Sequence, residues 1–143
     1  MADLRGLIRF HRWQLDEKQR KVAELRGEQE YLRTHIQNIN EQIRTEQENA
    51  RQSMEATMDF VNYLKLAKLR RAQFENQVED LERQIQTAAD AISEAFQEVK
   101  RYELAQDERD RQERAKQLRR ENAMFDEVAV TGFMRQRKEE EQR

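Results

Sequence analysis

The sequence predicts an all-α fold: a two-helix antiparallel coiled-coil hairpin with a long C-terminal helical overhang. Three observations predict it. Charged residues make up 39% of the 143-residue chain and hydrophobic ones only 36%, with three Gly and no Pro, the composition of a coiled coil rather than a globular core. Two runs of apolar residues follow a 4-3 spacing, the seam periodicity of packed helices. The runs are equal in length and flank a short break, so folding back is the simplest closure.

The first run passes through Leu4, Ile8, His11, Leu15, Lys18, Val22 and Leu25, then continues in step to Ala50. Gly6 and Gly27 both fall at f positions, pointing away from the seam, where each costs about 1 kcal/mol against Ala but opens no hole. Helix 1 is expected over about residues 3–50. A turn follows at about 51–58, where Ser53, Thr57 and Asp59 are each candidate N-caps. The second run starts at Phe60 and Leu64 and ends at Tyr102 and Gln106. Reflection about residue 55 brings together positions whose numbers sum to 110. Every a position then meets a d position: Ala50 with Phe60, Ile36 with Phe74, Leu25 with Ile85, Leu4 with Gln106. In the same register Arg5 faces Glu103, Arg26 faces Glu82 and Arg33 faces Glu75, pairs of opposite sign that select register more than they stabilise.

Beyond Gln106 the seam pattern stops. Asp107 to Asn122 is mostly charged and has no helix breaker, so it stays helical on i,i+4 pairs. Helix 2 is expected over about 59–130. Gly132 is the expected C-terminal stop, with a charged tail at 133–143. The whole of 1–143 reads as one hairpin domain.

Several functions are disfavoured. There is no Cys, so disulfides and thiolate chemistry are excluded. A net charge of −2 gives no basic excess for nucleic acid. No stretch approaches the roughly 20 apolar residues of a membrane span, and the N-terminal residues are broken by charge, so a cytoplasmic location is expected. His11 and His35, the two histidines, are too far apart on one helix to share a metal. No phosphate loop, dinucleotide fingerprint or nucleophile motif occurs, and no cofactor is expected. A two-helix structure also lacks the concave pocket that tunes catalytic carboxylates, so the chain is not expected to be an enzyme.

Function must then come from what the surface presents. Near the turn, Val61, Tyr63, Leu66 and Leu69 lie at e, g, c and f, and Leu66 and Leu69 share an outward face. At the open end, Leu7, Phe10 and Trp13 lie off the seam, near Phe96 in the expected register. Lapping over the seam accounts equally well for Val61, Tyr63 and Phe96. Leu66, Leu69, Phe10 and Trp13 point away from the partner helix and favour protein contacts.

The segment Arg9 to Leu25 resembles the opening helix of the FliJ family, the small coiled-coil proteins of flagellar type III export. Asp59 to Tyr63 is similar to the start of that family's second helix, and Phe96 to Glu103 and Phe125 to Ala129 to its C-terminal half. The resemblance implies a hairpin similar to the central stalk of rotary ATPases. Such a stalk inserts in the hexameric export ATPase and stimulates it, contacts the export-gate membrane protein and binds export chaperones. It implies a place at the cytosolic face of the inner membrane, held there through partners without a span of its own. The family's gate surface lies toward the turn, and the matched position here is Leu66. Arg70 and Gln73, matched further along, are not apolar. A stalk inside a ring needs a narrow, wet, charged surface, which Arg5, Arg9 and Arg12, with Phe10 and Trp13 beside them at the open end, supply together with Arg109, Arg111, Arg114, Arg119 and Arg120. The alternatives are the equivalent stalk of a virulence-type injectisome and a generic coiled-coil scaffold.

Overall fold

A computed structural model describes residues 3–143. Helix α1 spans Arg5–Asn49, a single 3-10 turn covers Ala50–Gln52, and helix α2 spans Met54–Glu141. No strand occurs among the described residues. Contacts divide the chain into two units, one formed by Phe10–Glu98 and the other by residues up to Arg9 with Val99–Arg143.

The Phe10–Glu98 unit is an antiparallel hairpin. Its core gathers Val22 and Leu25 of α1 with Leu81 and Ile85 of α2, and Leu32, Ala88 and Ile92 pack against them. Leu25 and Ile85 share this cluster, as the sum of 110 requires. One polar side chain is buried in the seam. Gln29, only 4% exposed, donates from Nε2 to the Glu82 carboxylate at 2.8 Å and to the Val78 carbonyl at 3.2 Å. The His35 ring stacks on Phe74, at 5.4 Å between centroids, with the Tyr31 ring edge-on at 4.6 Å.

The turn is shorter than expected. Of the three candidate caps, Ser53 is the one used: it sits in extended backbone and its Oγ accepts the Ala56 N–H at 3.0 Å. Helix α2 therefore begins at Met54, not near 59. Thr57 ties the turn down instead, donating from Oγ1 to the Ala50 carbonyl at 2.8 Å and the Ser53 carbonyl at 3.0 Å.

In the other unit, Ile8 and Val99 are buried. The Leu4 N–H, left without a helical partner at the start of α1, donates to Gln106 Oε1 at 2.9 Å. Gln106 in turn donates to Asp110 at 3.0 Å, and Asp110 pairs with Arg5 at 3.6 Å. The expected stop at Gly132 and a separate tail are both overturned. Helix α2 continues through 133–141, because Gly132 does not adopt positive φ, no Pro follows, and Arg137 pairs with Glu141 one turn on, at 3.9 Å.

The three expected cross-helix charge pairs do not form. Arg5 reaches Asp110, Glu82 is taken by Gln29, and Glu75 pairs with Arg71 on its own helix at 3.7 Å. Exposed ion pairs are worth about 0–1 kcal/mol, so long side chains choose among near-equal partners on either helix.

Candidate docking surfaces

In the hairpin unit, Leu66 is 66% exposed and Leu69 59%, one helical turn apart at c and f on α2. Two Leu side chains in water, on a helix whose seam is already filled, are an uncovered apolar face. Tyr63 behaves differently. It is half-buried and lines a shallow groove with Asn38, Glu41, Gln42, Thr45 and Glu46 of α1. Its ring lies 6.5 Å from that of Phe60. Tyr63 thus laps the seam on the g flank, at the border of the outward face of Leu66 and Leu69.

The open-end residues divide between the units. Phe10, Arg12 and Trp13 belong to the hairpin unit, where the Phe10 and Trp13 rings stack at 6.4 Å while both stay exposed. His11 meets the edge of Phe10 at 5.7 Å. The second unit holds Arg5, Arg9, Arg109, Arg111, Arg114, Arg119 and Arg120. Arg109 is half-buried, and Arg111 pairs with Glu108 at 3.3 Å. Every residue from Arg111 to Arg143 is exposed, and this stretch carries Leu118, Met124, Phe125, Val128, Phe133 and Met134 in water.

Met54 and Met58 were not foreseen as surface features. They are 84% and 68% exposed on the first turns of α2. Assigning 51–58 to a turn left them without a helix face; recognising Ser53 as the cap would have supplied one.

Among the described residues, no group of three or more His, Cys, Asp or Glu could hold a metal, and no helix is long and apolar enough to cross a membrane. The surfaces are convex and helical, suited to protein contacts. The family model described as "Flagellar FliJ protein" matches residues 1–138, nearly the whole chain. The chain belongs to the FliJ family. No curated protein and no solved structure matches it. As a FliJ-family member it is a flagellar type III export-related protein, and the family is a non-catalytic component of that export system.

Proposed function

We propose that this FliJ-family chain is the stalk and coupling protein of flagellar export, inserting in the hexameric export ATPase and stimulating it. The observation that supports the ring contact is the exposed part of α2 from Arg111 onward, a helical surface wholly in water. Its cations Arg114, Arg119 and Arg120, with Arg5 and Arg9 of the same unit, offer fixed donors to carboxylates on ring loops. A charged, wet contact also lets a stalk move inside a ring, which a tightly apolar one would prevent.

The export-gate membrane protein is assigned to Leu66 and Leu69, with Tyr63 at the border of that face. Export chaperones complete the partner set. The protein acts in the cytoplasm and is peripheral at the inner membrane's cytosolic face through these partners. The purified protein should raise the turnover of the purified export ATPase, less so as salt rises, because exposed charge pairs are screened. Unchanged turnover at every salt concentration would reduce the protein to a scaffold.

A further inference from the structure

The hairpin unit has a second surface near its turn, on the flank opposite the Tyr63 groove. Met54, Met58, Val61, Lys65 and Lys68 fall at i, i+4, i+7, i+11 and i+14 of α2, one face at about 100° per residue. All five are exposed. They occupy e and b positions, the flank on which Arg71 donates to Asn40 of α1 at 2.8 Å. On the α1 side the same flank carries Arg44, and Arg51 follows in the turn, both exposed. From residue 37 to residue 72 no Asp or Glu falls at an e or b position, although the chain as a whole holds 29 acids. Arg44, Arg51, Lys65 and Lys68 form no ion pair among the described residues.

We propose that this flank docks on the anionic surface of a lipid bilayer. The four cations lie over headgroup phosphates, and Met54, Met58 and Val61 enter the interfacial layer. Charge complementarity carries the assignment. Four unpaired cations around exposed apolar side chains, with no acid at the e and b positions, in a chain of net charge −2, fit an extended negative plane. The unbranched stems of Lys and Arg can lie along the apolar residues while the heads stay in water. A bilayer rather than an acidic protein is favoured because the flank is a broad face drawn from both helices. The shallow grooves of this unit at Tyr63, one against Asn38 and Gln42 and one against Asn49 and Ala56, lie on the other side. Each cation near an anionic leaflet raises partitioning about fivefold, from about 1 kcal/mol per charge. The surface does not depend on the ring or gate contacts proposed above.

Flotation of the full chain with vesicles tests it. Vesicles containing phosphatidylglycerol should carry the protein up, and pure phosphatidylcholine vesicles should not. Lys65→Glu with Lys68→Glu, and separately Arg44→Glu with Arg51→Glu, should each reduce flotation at least about tenfold. Met54→Ser with Met58→Ser should reduce it a few-fold. All these positions are exposed, and helical circular dichroism with an unchanged melt shows that each variant is folded. Equal flotation with both lipids, none with either, or variants that float like the parent would overturn the proposal. So would a parent that ignores vesicles while the lysine reversals abolish binding to the purified cytosolic part of the export gate, which assigns the flank to an acidic protein.

Discussion

Gln29 and Glu82 are joined across the helix seam by a 2.8 Å hydrogen bond from a side-chain amide that is almost wholly buried. Gln29 stands at an a position one turn beyond Leu25 in the seam, where an apolar residue would pack. A lone polar seam residue specifies register at a cost in stability. A shift by one heptad that sets Ile92 against Leu25 puts Ala89 in the place of Glu82 and leaves the amide without its carboxylate, whereas the opposite shift brings in Glu75. Gln29→Leu should therefore melt at the same temperature or higher, by up to about 1 kcal/mol of added stability, yet pair less uniquely. Disulfide trapping reads this. The pair Leu25→Cys with Ile85→Cys should dominate in the parent, while the shifted pair Leu25→Cys with Ile92→Cys should gain appreciable yield only in the Gln29→Leu background. No shifted product in that background would show that the apolar seam alone sets register.

The turn is held by two hydroxyls with different tasks. Ser53 satisfies the Ala56 N–H at the start of α2, while Thr57 bonds the Ala50 carbonyl across the turn. Removing an N-cap oxygen costs about 1 kcal/mol, and so does an ordinary side-chain hydrogen bond. Ser53→Ala and Thr57→Val should each lower stability by about 1 kcal/mol in urea melts. Ser53→Asp should restore the first loss, because a carboxylate also caps and favours the helix N-terminus. A Ser53→Asp variant no better than Ser53→Ala would count against capping.

The helical pairing was legible because it rests on many positions at once. Leu25 and Ile85 share a core, and Leu4 bonds Gln106, both at the sum of 110. The outward placement of Leu66 and Leu69 followed from the same heptad frame. What was not legible depended on single side-chain choices. Ser53, Thr57 and Asp59 are equivalent as caps until geometry selects one, and that choice hid Met54 and Met58. Arg5 took Asp110 rather than Glu103 because long exposed side chains choose among near-equal partners. Gly132 read as a stop, yet a glycine ends a helix only where the chain adopts positive φ.

Leu66 and Leu69 supply a direct test of the gate surface. Both are more than half exposed, so Leu66→Asp with Leu69→Asp should change stability by no more than about 0.5 kcal/mol each. The same change places two charges where a desolvated apolar contact is proposed, and a central apolar anchor can dominate an interface. Swimming motility should fall sharply while the melting temperature stays put. A folded double variant that swims like the parent would remove the gate contact from this face.

The last prediction concerns the ring. The hairpin unit ends at Glu98, and its core residues Val22, Leu25, Leu81 and Ile85 all lie inside it. Deleting residues 107–143 removes none of them, and it leaves Gln106 in place to accept the Leu4 N–H. What is lost is the long exposed helix from Arg111 onward, together with Asp110, which pairs with Arg5. That ion pair is exposed and worth no more than about 1 kcal/mol. The truncated protein should therefore keep a cooperative thermal transition close to that of the full chain while losing stimulation of the export ATPase. Loss of stimulation alone could also follow from a shorter stalk, so charge must be separated from length. Arg114→Glu with Arg119→Glu and Arg120→Glu keeps the helix at full length and reverses three exposed cations. It should abolish stimulation as well, whereas Lys at the same three positions should retain part of it, since the charge remains but the planar fork does not. Full stimulation by the truncated chain, or by the triple Glu variant, would move the ring contact away from this helix.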